Sequence, residues 1–314
     1  MLIVNMAGDE AVYRKLLLSL TCLASSIANA IEYPLPEDGS NLIGTMEYYQ
    51  VEKGDSLADI ANEYNVGFLA LLEANKGVDP FLPAPGKLLA IPTQLILPTV
   101  PRDGIVINLA ELRLYYFPEG EDVVHVFPIG IGRVGRETPL MTTKISQKTE
   151  HPTWTPTANI RKEYLEKRNI ELPAVVPAGP ENPLGDYAMR LAHGNGQYLI
   201  HGTNKDFGIG MRVSSGCIRM NPWDIEWLFP EVAKGTKVRI IDQALKQTEE
   251  PDGSLYVEVH QPLSKSEAQL GQEKTVKADE DLLLAIANDD RAYSRLNAAL
   301  NLQMGIPVEI KVMN

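Results

Sequence analysis

Between residues 104 and 129 the chain offers three short apolar runs, Gly104-Ile105-Val106-Ile107-Asn108, Leu112-Arg113-Leu114-Tyr115-Tyr116-Phe117 and Val123-Val124-His125-Val126-Phe127-Pro128-Ile129, divided by polar turns. Runs this short, rich in β-branched and aromatic residues, are strands rather than helices. Similar runs return at Tyr187-Ala188-Met189-Arg190-Leu191, Tyr198-Leu199-Ile200-His201 and Lys237-Val238-Arg239-Ile240-Ile241. Residues 104–242 therefore read as one mainly β unit. Within it, 150–186 is rich in proline and polar residues, with a short helix around Arg161–Arg168. So long an irregular stretch beside a β core suits a lid or a substrate-binding loop.

The chain ahead of this unit reads differently. Residues 31–47 contain Pro34, Pro36, Gly39 and Gly44 and no apolar period, the composition of a tether. Tyr48-Tyr49-Gln50-Val51 predicts a strand. Asp55 or Ser56 then caps a helix carrying Leu57, Ile60, Ala61 and Tyr64. Leu69, Leu72 and Ala74 mark a second helix, and Leu88-Leu89-Ala90-Ile91 a closing strand that ends at Pro92. This strand–helix–helix–strand unit, 48–92, resembles a LysM domain through Val51-Glu52-Lys53-Gly54-Asp55-Ser56-Leu57, Ile60-Ala61 and Asn75. The resemblance implies a βααβ module that binds N-acetylglucosamine-containing glycan. After Gln243 a strand at Leu255–Val259, a helix near Asp281–Leu300 and a strand at Val308–Val312 predict a small α+β C-terminal unit, 243–314.

At the N-terminus, Arg14-Lys15 precedes the apolar run Leu16–Ala24 and then Ala28-Asn29-Ala30. A basic start, a short apolar stretch and an A-x-A site predict an export signal over 1–30, cleaved after Ala30, with no membrane span left afterwards. Of two cysteines, Cys22 and Cys217, cleavage removes the first. One unpaired thiol then enters an oxidising compartment, where it is either reactive or an inert buried group. No second cysteine, CxxC or HExxH remains to build a zinc site, so neither metal nor cofactor is expected. A formal charge of −12 repels phosphate backbones and anionic lipid, which argues against nucleic acid as a partner.

Cys217 lies in Ser214-Ser215-Gly216-Cys217-Ile218-Arg219, just ahead of a helical run Trp223–Phe229. A cysteine attacks carbonyls as thiolate and needs a base or a positive neighbour; a helix N-terminus also favours the anion. His201 ends an apolar strand and precedes Gly202, a position that holds an imidazole rigidly, whereas His193 sits in a glycine-rich turn. Small residues before Cys217 leave backbone N–H groups open to an oxyanion. Gly130-Ile131-Gly132-Arg133-Val134-Gly135 fits GxGxxG, but Arg136-Glu137-Thr138-Pro139 follows where a nucleotide site needs a helix, so it reads as a strand-to-loop turn.

His201-Gly202-Thr203, the SSGCIR run, Thr138-Pro139, Asn182-Pro183-Leu184-Gly185, Ala188–Leu191 and Gly235-Thr236-Lys237-Val238 resemble the YkuD-type L,D-transpeptidase catalytic domain over 104–242. The resemblance implies a mixed-sheet β-sandwich with a short helix after Cys217. It also implies a periplasmic acyltransferase acting on peptidoglycan tetrapeptide stems. In that scheme Cys217 is the nucleophile, His201 the general base and acid, and the Gly202 carbonyl orients the imidazole. The N–H groups of Gly216 and Cys217 form the oxyanion hole, and Ser214, Ser215 and Arg219 contact substrate. Arg219 is equally well a structural ion pair. Many members carry histidine where Ser215 stands here. The LysM–catalytic–C-terminal layout resembles the lipoprotein-anchoring subgroup, so the acceptor expected is the C-terminal lysine of an outer-membrane lipoprotein, with a second diaminopimelate in a 3→3 cross-link, or water, as the alternatives. A non-catalytic wall-binding protein is the alternative from another class.

Overall fold

A computed structural model describes residues 31–205 and 207–312. The expected signal segment and Cys22 lie outside the described residues. Nine strands form one mixed sheet. In spatial order they are Ile31–Pro34, Val123–Pro128, Arg113–Phe117, Gly104–Asn108, Lys237–Ile241, Met141–Glu150, Tyr187–Leu191, Leu199–His201 and Ile218–Arg219. The ten-residue strand Met141–Glu150 joins the two halves. Its first residues pair with Lys237–Ile240, Ile145 pairs with Leu191, and beyond a register shift between Ile145 and Gln147 its last residues pair with Tyr187–Arg190. A bulge bends and twists a strand, so one strand can serve both halves of a curled, sandwich-like unit. Between them lies the largest core, including Ile105, Phe127, Met189, Ile200 and Ile218. The helix Pro222–Glu231 closes it with Ile225 and Leu228.

The segment 31–47 is not a tether. Ile31–Pro34 is the edge strand of the sheet, in register with Val123–Val126, and Leu42–Ile43 pairs with Leu95–Ile96. Pro34 conceals the strand in the sequence, yet proline is tolerated at an edge, where its missing N–H breaks no ladder. Tyr33 is buried and its hydroxyl donates to the Thr93 carbonyl at 2.9 Å.

The 48–92 module has the expected order, with Ser56 rather than Asp55 as the helix cap; Asp55 accepts from Glu52 N and the Tyr49 hydroxyl. It packs directly on the β unit. Asn65 Nδ2 donates to Asp224 Oδ1 at 2.9 Å, and Asn221 Nδ2 donates to Asn65 Oδ1 at 3.2 Å. Burial pushes the Asp224 carboxyl up to about 7, against the pull of those amides. Beside this cluster Gly210, at φ +66°, approaches Gly67 so closely that a Cβ would overlap Gly67 Cα and Phe68 N. Gly210→Ala is expected to destabilise the protein by about 1–3 kcal/mol through strain and overpacking, read as a lowered denaturant midpoint.

The C-terminal unit is a three-stranded sheet, Leu245–Glu249, Leu255–Val259 and Pro307–Lys311, covered by helices. The single helix expected near 281–300 is two, Glu280–Ala285 and Asp290–Leu302. The break falls at Asn288, in the left-handed region, and Asp289 caps the second helix. Nor does this unit stand apart. Lys246 Nζ lies 2.9 Å from Glu111 and 3.0 Å from Glu258, and Arg113 is 2.9 Å from both carboxylates. His260 Nε2 meets Glu258 at 2.8 Å, and its Nδ1 lies 3.4 Å from Glu73 of the 48–92 module. Glu111, Glu258 and His260 are spaced like metal ligands, but Lys246 and Arg113 already neutralise them. Buried carboxylates remain charged only with such partners.

Candidate active site

Strand register builds the site. Leu199–His201 runs antiparallel to Tyr187–Leu191, with Ala188 opposite His201 and Arg190 opposite Leu199. Ile218–Arg219 runs parallel to it on the other side, with Ile218 beside Ile200 and Arg219 beside His201. Met189, Ile200 and Ile218 face the core. By strand alternation Arg190, Leu199, His201, Cys217 and Arg219 share the opposite face. The nucleophile and base proposed from the sequence thus sit on the same face of adjacent strands, with one residue pair, Ile200 and Ile218, between their levels along the ladder.

His201 is buried, and its Nδ1 lies 2.5 Å from the Gly202 carbonyl. A carbonyl only accepts, so Nδ1 carries the hydrogen and Nε2 keeps the basic lone pair. The Leu184 carbonyl also favours the ring's charged form, but burial and then the Arg219 charge outweigh both carbonyls. The imidazole pKa falls to about 4. At neutral pH the ring is uncharged and free to take a proton.

The nucleophile loop is stitched from within. Ser214 Oγ donates to the Cys217 carbonyl at 2.5 Å and accepts from Gly216 N at 3.2 Å. Ser214 is therefore a buried brace rather than a substrate contact, whereas Ser215 is exposed. Gly216 N–H, expected in the oxyanion hole, is spent on that brace. Gly216 adopts φ +105°, and a Cβ there would lie 3.1 Å from the Tyr198 ring, so the position needs glycine. Thr138 Oγ1 donates to the Gly216 carbonyl and accepts from Gly132 N, each at 3.0 Å. The GxGxxG run accordingly wraps the nucleophile loop: Ile131–Gly132 pairs with Arg212–Ser214, and Arg133 N donates to the Ser214 carbonyl at 3.1 Å.

Cys217 is half-buried, its thiol 3.5 Å from the Gln197 carbonyl. Burial raises its pKa; the Leu199 N–H and the charges of Arg219 and Arg190 pull it down without prevailing. The helix expected to favour a thiolate starts at Pro222, beyond the intervening strand Ile218–Arg219. At rest the pair is thiol and neutral imidazole. Arg219 has no ion pair among the described residues, and its buried Nε has no hydrogen-bond partner there. Asn182, fully buried, fixes the 182–185 turn by donating to the Pro152 and Pro177 carbonyls and accepting from Leu184 N. That turn packs on Gly202: a Cβ on Gly185 would lie 2.9 Å from Thr203 N. His193 is exposed, its ring tilted at 54° to that of Tyr198 with centroids 5.7 Å apart. The helix expected near 161–168 spans Ala158–Arg168, buries no residue, and is held by Arg133 Nη2 donating to Glu163 at 2.5 Å.

Three family models match in series: the LysM domain over 49–92, the L,D-transpeptidase catalytic domain over 102–240 and the L,D-transpeptidase C-terminal domain over 245–310. The probable L,D-transpeptidase YcfS of Escherichia coli K12 is 51% identical over 90% of this chain and 89% of its own length. This chain belongs to the L,D-transpeptidase family. Two further Escherichia coli K12 relatives, the probable L,D-transpeptidases ErfK/SrfK and YbiS, are 49% and 48% identical. Each match covers 91% of this chain, with 93% and 94% of the relative. This L,D-transpeptidase is thus a cell-wall enzyme, its LysM domain suited to peptidoglycan. No helix among its described residues is long and apolar enough to cross a membrane.

Proposed function

We propose that the protein is a periplasmic L,D-transpeptidase, exported by cleavage after Ala30, that joins peptidoglycan stems to the lysine amine of an outer-membrane lipoprotein. The observation that carries the chemistry is the neutral His201 ring, locked by Gly202 with Nε2 unoccupied by that bond, on the same sheet face as Cys217. Cys217 Sγ attacks the carbonyl of the L-centre of meso-diaminopimelate as its proton passes to His201 Nε2. The tetrahedral oxyanion is met by the Cys217 N–H, since Gly216 N–H is committed to Ser214. Collapse breaks the bond to D-alanine, whose amine leaves with the proton from His201. An acceptor amine then attacks the thioester, His201 takes its proton, and the thiol is restored.

Support for a lysine acceptor comes from the shared LysM–catalytic–C-terminal layout. A formal charge of −12 also draws a cationic amine toward the enzyme. Muropeptides from cells expressing the enzyme should contain diaminopimelate–lysine adducts, identified by mass spectrometry. Dimers cross-linked 3→3 without such adducts would assign the acceptor to a second stem instead.

A further inference from the structure

The sheet face that carries Cys217 also carries an arginine that no role has absorbed. Arg190 stands opposite Leu199, the residue flanked on its other side by Cys217, two strands or roughly 10 Å from the nucleophile's backbone. Its neighbours Met189 and Leu191 are fully buried while Arg190 itself is exposed, so its side chain leaves the core on the active-site face. It is not loose. The 193–196 turn folds around it: Arg190 Nη1 donates to the Gly196 carbonyl, and a Cβ on Gly196, at φ +71°, would lie 3.0 Å from Arg190 Cδ. Glycine leaves room for that turn to hold the guanidinium in place.

A carbonyl uses one of five donors and none of the charge. Arg190 has no carboxylate partner among the described residues, in a chain with 41 acidic and 29 basic residues. Other cations find acids readily here: Arg113, Arg133, Lys237, Arg239 and Lys246 are all paired. Its field nevertheless reaches the Cys217 thiol, as does that of Arg219. Two guanidinium groups near one thiol, neither with a carboxylate partner among the described residues, suit an acyl donor that is itself anionic.

We propose that Arg190 is a specificity residue that holds a free carboxylate of the acyl-donor stem beside Cys217. The assignment rests on the donor chemistry proposed above. Its outer N–H fork grips the carboxylate while the Gly196 carbonyl fixes the other edge, which places the scissile carbonyl over the sulfur before bond formation.

The test compares Arg190→Gln and Arg190→Lys with the wild type on tetrapeptide donors whose free carboxylates are amidated one at a time, reading acyl-enzyme formation on Cys217. Arg190→Gln should lower kcat/KM on the unmodified donor by about 10–100-fold, the worth of one charge-assisted hydrogen bond, mostly through KM. On one amidated donor the wild type should fall by a similar factor and Arg190→Gln should show no further loss. Arg190→Lys should recover part of the rate on the unmodified donor only. Equal loss on every donor would make Arg190 a brace for the 193–196 turn and overturn the proposal, as would no loss at all. A wild type that never acylates overturns the donor chemistry itself. One that acylates equally on all donors overturns only the role of Arg190.

Discussion

Cys217→Ala should lose acyl transfer altogether, with transpeptidation lowered by more than about 10⁴-fold, because the reaction has no second route to a covalent intermediate. Wild-type enzyme incubated with a tetrapeptide donor should gain the mass of the donor less that of the departed D-alanine, whereas the variant should gain nothing. Cys217 is the one free thiol among the described residues, and its sulfur lies 3.5 Å from the Gln197 carbonyl and also meets the Leu199 N–H. Alanine removes that atom and little packing, so thermal unfolding of the variant should match the wild type within about a degree or two. The loss would then be chemical. Cys217→Ser sharpens the test: a hydroxyl has nearly the same shape but is far less acidic than a thiol, so it too should fail. Mass gain on either variant would place the nucleophile elsewhere, and the exposed Ser215 beside it would be the first residue to examine.

Much of this arrangement is legible in sequence because it is local. Strands rich in β-branched residues, the Ser56 cap and the His201-Gly202 pair each depend on neighbours a few positions away. What stays hidden depends on partners far along the chain. The strand Met141–Glu150 is polar because most of it faces outward, with only Ile145 buried, so it carries no apolar run. Glu111 falls in a polar turn of the sequence and Arg113 in a strand run, yet both are buried against Lys246 and Glu258, more than a hundred positions away. The engagement of one expected oxyanion donor, the Gly216 N–H, is hidden for a related reason. Glycine in a loop suggests an open N–H, but Ser214, two residues before it, closes it. Arg190 gave a faint signal, a charge alternating with buried Met189 and Leu191. Strand alternation places it on a face; only the register identifies that face as the one bearing Cys217.

The pH dependence should then distinguish two forms of the Cys–His pair. Where thiolate and imidazolium coexist at rest, the sulfur loses its proton at lower pH than the ring. Activity then falls on the alkaline side once the ring deprotonates. Here the order is reversed: burial and the Arg219 charge hold His201 neutral down to about pH 4, and burial holds Cys217 protonated above its ordinary range. His201 must be unprotonated to accept the thiol proton. The rate of Cys217 acylation should therefore lose about tenfold per pH unit below about 4 and run level through neutrality, with no alkaline fall near pH 7. His201→Gln removes the base while keeping a polar group against Gly202. At pH 7 its acylation rate should drop by about 10²–10⁴-fold. The remainder should climb about tenfold per pH unit as hydroxide ionises the thiol, until the raised pKa of Cys217 is passed. Under the resting ion pair, the same variant would leave an unassisted thiol while the wild type showed a bell centred below neutrality. A level wild-type profile beside a steadily rising His201→Gln profile is the outcome required of a neutral imidazole acting as base at the moment of attack.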